Sequence, residues 1–275
     1  MSEQLPFFSI GITTFNRKDL LVQILNSLLK QRFTDFEVIV GNDFLEEKLT
    51  PEILGINDPR IRIINNVRNL GERENMNSLL NEAKGRYFSW QFDDDLCAPT
   101  FLNEVHSALV RYNFPLCIYS SFKYIYGTGE YTFPKKDFLD GNESRLYSGK
   151  EFLRRYLTGQ LRILGLGGFS ELDYLKKTGG VKSLSPGHMA LYSEYLMVIK
   201  NGMLAEIAFI NKPLVFNRIH TNSWSINNEE VELFETAGIN LIKESLTFFS
   251  IRPNLIVLLT ITAQIMDFNN EERFF

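Results

Sequence analysis

Three adjacent aspartates, Asp93, Asp94 and Asp95, directly follow the apolar run Tyr87-Phe88-Ser89-Trp90-Gln91-Phe92. Neighbouring carboxylates repel one another and cost stability unless a cation or solvent compensates. Mg2+ and Mn2+ are hard cations that prefer carboxylate oxygen and keep coordination sites for substrate phosphates. The plain alternative is a solvated acidic loop ahead of the helix that opens at Pro99. Asp43 follows a second apolar run, Phe36-Glu37-Val38-Ile39-Val40, by way of Gly41 and Asn42. A lone Asp there suits a turn, and it also suits recognition of a base N–H or a ribose hydroxyl. Between Met189 and Ile199 only Ser193 and Glu194 are not apolar. That pattern predicts a buried helix over 189–201, ending at Gly202. A carboxylate on such a helix is costly to ionise, its pKa is expected to tend upward, and it would suit a general base near neutral pH. An exposed helix edge, or a structural Arg partner, is the alternative for Glu194. His188 is a second candidate base, and equally a core histidine. His220, taken alone, reads as a loop histidine after a strand.

These residues need elements to position them. The run 7–13 reads as a buried strand, followed by Asn16 as a helix cap with Asp19 at the third helical position. Leu20, Leu21, Ile24, Leu25, Leu28 and Leu29 form an apolar stripe at helical spacing. Strands are expected at 36–40, 61–64 and 87–92, with a helix over 72–84 stopped by Gly85 as a left-handed terminator. Alternation of this kind implies right-handed βαβ units and a mostly parallel sheet, with ligands bound beyond the carboxyl ends of the strands. Pro99 opens a helix carrying Phe101, Leu102, Val105 and Leu109, and 116–122 is a strand. Residues 126–147 look irregular, and Ser148 to Glu151 form a capping box. Gly165, Gly167 and Gly168 mark a close approach of backbone to a neighbour. Strands follow at 205–210 and 214–218. From Asn228 onward the tail reads as two helices split at Pro253.

The chain has 275 residues, which suits one large domain. With 23 Phe the core should be large and aromatic. A net charge of −4 argues against a broad nucleic-acid surface, which needs a basic excess. Cys97 and Cys117 are the only cysteines, so a reducing compartment is the default. Residues 1–6 lack the basic start of a signal peptide. The apolar run 255–266 carries Thr260, Thr262 and Gln264 and is shorter than the roughly 20 residues a bilayer span requires. A cytoplasmic protein is therefore expected, with the inner membrane face as an option. Leu241, Ile242, Leu246, Leu255, Ile256 and Leu259 supply apolar surface for a dimer contact, a lid or a peripheral membrane contact.

Taken in order, five segments are more specific than any part. Ser9-Ile10-Gly11-Ile12-Thr13-Thr14-Phe15-Asn16-Arg17 is followed by Phe36 to Asp43. Next come Asn69-Leu70-Gly71 through Asn77 with Ala83-Lys84-Gly85-Arg86-Tyr87, and Phe92-Asp93-Asp94-Asp95 with Pro99. Pro213-Leu214-Val215-Phe216-Asn217-Arg218-Ile219-His220 closes the series. This order resembles the inverting family 2 glycosyltransferases over about 7–100 and again near 165–225. The resemblance implies an α/β GT-A fold, Rossmann-like, with a mostly parallel central sheet flanked by helices and a helical C-terminal extension. It divides the chain into a GT-A domain over 1–226 and an extension over 227–275. Residues 1–100 would bind a nucleotide sugar and 101–226 would face the acceptor. It implies a UDP-sugar donor, a Mn2+ or Mg2+ cofactor and a glycan or glycolipid acceptor in surface polysaccharide synthesis. Thr13 and Phe15 would border the nucleobase, and Asp43 would accept a hydrogen bond from it. Arg73 would contact the base or diphosphate. Asp93 would approach the ribose or metal. Asp94 would be the main metal ligand, with Asp95 a further one, and His220 would reach the metal or diphosphate.

Two departures stand out. The family's small residues after the base-binding Asp are replaced by Phe44 and Leu45. Its usual Glu-Asp pair before a helix is missing from 188–194, leaving Glu194 as the base. Two rival readings remain: a nucleotidyltransferase, which usually carries a Gly-rich basic loop after the first strand, and a silent sugar-nucleotide or glycan-binding module.

Overall fold

Period-two apolar runs separated by amphipathic stretches fold here as alternating strand and helix. The computed structural model describes residues 5–134, 143–221 and 231–248. Strand β1 (Phe8–Thr14) leads to helix α1 (Lys18–Leu29), then β2 (Phe36–Asn42), the short α2 (Pro51–Leu54) and β3 (Ile61–Asn65). Helix α3 (Glu72–Glu82), β4 (Tyr87–Phe92), β5 (Leu96–Cys97) and α4 (Phe101–Arg111) follow. The second half carries β6 (Cys117–Tyr126), β7 (Ser144–Ser148), α5 (Gly149–Leu157), β8 (Phe169–Glu171) and α6 (Leu172–Lys177). It ends with α7 (Ser193–Asn201), β9 (Glu206–Ile219) and α8 (Val231–Phe248).

The described strands form one sheet in the order β3-β2-β1-β4-β8-β6-β9-β5, with β7 also paired to β9. The β3-β2-β1-β4 half is parallel throughout, as is β6 with β9. β8, β5 and β7 pair antiparallel, so most paired positions run parallel, as expected. β1 lies between β2 and β4, with Thr14 opposite Asn42 and Thr13 opposite Phe92. The chain moves one way from β1 to β2 and the other way to β4. That reversal opens the crevice at strand ends where α/β sheets bind ligands.

Alternation along β1 feeds both faces of the sheet. Phe8, Ile10 and Ile12 pack with the buried stripe of α1 and with Phe101, Leu102, Val105 and Leu109 of α4. Ile39, Phe88 and Trp90 pack with Met76, Leu79 and Leu80 of α3 and with α6. Gly11 sits on that second face, where an added Cβ would lie 2.7 Å from the Phe88 ring. The core is aromatic, as the Phe content predicts: Trp90, Tyr87, Phe8, Phe88, Phe101 and Phe169 are fully buried.

Several boundaries differ from expectation. Asn16 does not cap α1; it adopts φ 54 and Arg17 holds the cap position without a side-chain bond. Gly85 is not a left-handed terminator, since α3 ends at Ala83 in extended geometry. Its lack of a side chain serves a close approach instead: a Cβ would lie 2.6 Å from the Ser9 amide nitrogen. The expected pair of strands at 205–210 and 214–218 is one continuous β9, with register shifts against β6 absorbing Pro213. The irregular 126–147 stretch ends in β7, and residues 135–142 lie outside the described ones. Ser148 does cap α5, accepting from the Glu151 amide at 3.3 Å. α8 packs onto the rest of the chain: Ala237 and Leu241 are fully buried in one cluster with α5 and α7. Leu241 is thereby used in packing and does not offer a dimer or membrane surface. Pro253, Leu255, Ile256 and Leu259 lie outside the described residues. Among the described residues, no helix is long and apolar enough to cross a membrane.

Candidate active site

The site is built at the carboxyl ends of β1, β2 and β4. Thr14, the last residue of β1, joins the two acidic positions on either side. Its carbonyl accepts from the Asp43 amide at 3.0 Å, and its hydroxyl donates to Asp93 Oδ2 at 2.7 Å. Asp43 and the Asp93–Asp95 cluster therefore share one sheet edge.

Asp43 is 4% exposed. Its Oδ1 accepts from Asn66 Nδ2 and the Leu70 amide, both at 2.9 Å, and its Oδ2 from the Gly71 amide at 2.7 Å. A carboxylate has about four acceptor positions, so Asp43 orders the loop before α3 and keeps room for one further donor. Gly71 sits at φ 76, with the His188 side chain packed where its Cβ would be. The chain there turns into α3 and brings in Arg73. The Arg73 amide donates to the His188 carbonyl, and its side chain lies 3.5 Å from Glu74. Arg73 Nε is buried and has no acceptor among the described residues. A buried, unmatched guanidinium N–H fits an anionic or carbonyl oxygen arriving with a ligand. Phe15 is 52% exposed and meets the Phe44 ring edge-on at 5.4 Å. The residue that departs from the family pattern thus lines the same aromatic face. Thr13 is half-buried and points to the α3 face, opposite Thr14.

Asp93 and Asp94 meet at Arg17. Its Nη1 lies 3.3 Å from Asp93 Oδ1 and 3.2 Å from Asp94 Oδ2. The same Asp94 oxygen lies 3.1 Å from His220 Nε2. Burial pushes the Asp93 carboxyl up to about 6; the Asp94 charge adds to this, while Arg17 and the Thr14 hydroxyl oppose it. Arg218 secures the cluster from below. Its Nε donates to the Asp94 carbonyl at 2.8 Å, and its Nη2 to Gln23 Oε1 at 3.0 Å.

Asp95 departs from the expected role of metal ligand. It is fully buried, and its Oδ1 accepts from Asn217 Nδ2 at 3.0 Å and from the Arg218 amide at 2.9 Å. Burial raises its pKa well above the usual carboxylate range, with Asp94 adding to the effect. Its geometry is that of a clamp fastening β9 to the turn after β4, which delivers Arg218 and His220 to the site. Among the described residues, no three His, Cys, Asp or Glu side chains gather as a metal cage of their own. Asp94 with His220 nevertheless suits a divalent cation that takes its remaining ligands from phosphates and water.

Glu194 does not sit mid-helix: α7 starts at Ser193, after Tyr192 at φ 56, so Glu194 occupies the first turn and is half-buried. Its Cβ packs where a side chain on Gly165 would be, 2.8 Å away. The expected close approach at 165–168 is thus real, and Gly168 lies equally tight under the Tyr119 ring. Glu72, which the motifs had not singled out, ties the two regions. Its carboxylate accepts from the Ala190 amide at 2.9 Å, at the entry to α7. Burial raises its pKa, with that bond and the Arg17 charge opposing. Arg17, Thr14, Glu72 and Arg218 were all missed as site residues. All four lie inside the five ordered segments, and only the fold shows what they touch.

Solved structures share this architecture. The Staphylococcus aureus TarS 1-349 structure in complex with UDP-GlcNAc aligns with TM-score 0.66 at 16% identity, covering 91% of this chain and 70% of that one. The fold is thus the α/β GT-A type. Among curated proteins, the putative colanic acid biosynthesis glycosyl transferase WcaA of Escherichia coli is 33% identical over 36% of each chain. The GalNAc(5)-diNAcBac-PP-undecaprenol beta-1,3-glucosyltransferase of Campylobacter jejuni is 33% identical over 33% of this chain and 30% of that protein. The chain spans about a third of the length of these curated relatives. The profile described as "Glycosyl transferase family 2" matches residues 9–171, more than half of the sequence, and the chain belongs to that family.

Proposed function

We propose that this protein transfers a sugar from a nucleoside-diphosphate sugar, with UDP the favoured nucleotide, to an acceptor hydroxyl with inversion at the anomeric carbon. The observation that carries the reading is the convergence of Asp43, Asp93 and Asp94 on the two sides of Thr14, faced by Arg17 and His220. Phe15 and Phe44 offer an aromatic face for the base. Asp43 keeps an acceptor position for a base N–H, and Arg73 Nε awaits an oxygen. A divalent cation, Mn2+ or Mg2+, would be held by Asp94 and His220 and would neutralise charge on the departing diphosphate.

The chain's own residues supply the rest. Asp93, held by Thr14, receives the ribose side. Glu194 removes the acceptor proton, and Gly165 leaves the space in which its side chain stands. The acceptor oxygen then attacks from the face opposite the leaving group. One displacement suffices, so no covalent intermediate forms on the protein, unlike a retaining hydrolase. Phe122 and Tyr124 beneath the Arg162 guanidinium, 5.5 and 5.6 Å from their ring centres, suit the sugar and phosphate of a glycolipid acceptor. Relatives named for diphosphoundecaprenol acceptors support that class, and surface-polysaccharide synthesis with it. A cytoplasmic site of action fits Cys97 and Cys117, which are buried free thiols; burial pushes the Cys117 thiol up to about 12, which leaves it unreactive.

Product analysis tests the reaction. Incubation with donor and acceptor should release a nucleoside diphosphate and a glycosylated acceptor, and Asp94→Asn should remove both without unfolding the protein. Pyrophosphate release would instead establish nucleotidyl transfer. Metal-dependent donor binding with no turnover on an acceptor panel would establish a silent binding module.

A further inference from the structure

We infer that Arg17 is the resident counter-cation of the Asp93–Asp94 pair, and that a divalent metal takes its place only together with the donor's diphosphate. The inference rests on the metal reading above. One guanidinium nitrogen, Nη1, bridges Asp93 Oδ1 and Asp94 Oδ2 at 3.3 and 3.2 Å. The side chains of Asp93 and Asp94 are 7% and 14% exposed, so water screens little of their mutual repulsion. The Arg17 charge also acts on the Glu72 carboxylate. Arg17 thus acts on three carboxylates.

Local backbone geometry puts it there. Asn16 adopts the left-handed region at φ 54, and Arg17 follows at the cap position of α1. The Asp94 oxygen that Arg17 holds is the one that faces His220. It is therefore the oxygen a metal between those two residues would use. A dication arriving alone must displace a guanidinium from a largely desolvated carboxylate pair. A diphosphate changes that balance, because it offers the displaced guanidinium a planar, bidentate anionic partner. Metal and donor are then bound as one unit, and Arg17 compensates the carboxylate pair before they arrive. Free metal gains little by binding first.

The test is Mn2+ binding followed by electron paramagnetic resonance, on wild type and Arg17→Met, each with and without UDP. For wild type, UDP should be required for measurable Mn2+ binding. Without UDP, Arg17→Met should bind Mn2+ at least about tenfold more tightly than wild type, the scale expected for an opposite charge within a few ångströms of a carboxylate. Equal affinity of the two proteins for Mn2+ alone overturns the inference. So does wild-type affinity for Mn2+ that UDP leaves unchanged, an arm that stands even if Arg17→Met does not fold. If UDP binds by calorimetry and Mn2+ binds neither protein under any condition, the metal reading fails, and this inference with it.

Discussion

The Thr14 hydroxyl donates to Asp93 Oδ2 at 2.7 Å, across two neighbouring strand ends. The same residue's carbonyl receives the Asp43 amide. One small polar residue thereby sets the spacing of the acidic groups on both sides of the crevice. Removing the hydroxyl while keeping the shape leaves a buried carboxylate short of a donor. Thr14→Val should cost about 1–3 kcal/mol in urea unfolding and weaken UDP binding measured by calorimetry. Unchanged stability and affinity would show that the bond positions nothing.

The raised Asp93 carboxyl gives a pH dependence with a definite sign. Its pKa in the folded protein is about 6, above the ordinary carboxylate value near 3.9 in the unfolded chain. The native state therefore binds more protons over that interval. The contribution of this group is fully present below about pH 4 and is lost as pH rises through about 6. Asp93→Asn should flatten the fall in unfolding free energy between these values. The effect should be on the order of 1–3 kcal/mol across the window, measured in denaturant without added metal.

Asp95 separates a clamp from a ligand. Asp95→Asn retains the volume but sets an amide against the Asn217 amide and the Arg218 N–H. It should lower stability by about 1–3 kcal/mol through a mismatched buried network. Metal-dependent UDP affinity should fall far less than in Asp94→Asn, as titration of both variants will show. Loss of metal response with full stability would return Asp95 to the ligand set.

Gly165 should matter to catalysis through Glu194. An added methyl would meet the Glu194 Cβ at 2.8 Å and its carbonyl oxygen at 2.9 Å. Gly165→Ala should lower kcat by about tenfold or more while donor KM changes little, since misplacing a base harms the chemical step rather than donor binding. A matching loss in donor affinity would place Glu194 on the donor side instead.

Local pattern carries the β1-to-β4 half of the fold, because β1, β2 and β4 are short, mostly buried runs separated by helices. It failed where distant partners decide. Asp95 reads as one acid of three until Asn217 and Arg218, more than 120 positions later, close on it. Asp94 and Asp95 differ only in which way the turn points them. Met189 to Leu191 are apolar and continue the helical pattern, yet they lie outside α7, where the Ala190 amide donates to Glu72. β7 was hidden in a polar stretch because its partner, β9, supplies the apolar side. Arg17 carried no signal of its own, since its role comes from two carboxylates on another strand's end.

The most direct test is calorimetric titration of UDP, with and without Mn2+, into wild type and Asp94→Asn. Mn2+ should tighten UDP binding to wild type by tenfold or more and have little effect on the variant, whose melting temperature should stay close to wild type. Equal Mn2+-dependent tightening in both proteins would contradict the assignment of this strand-end cluster as the donor site.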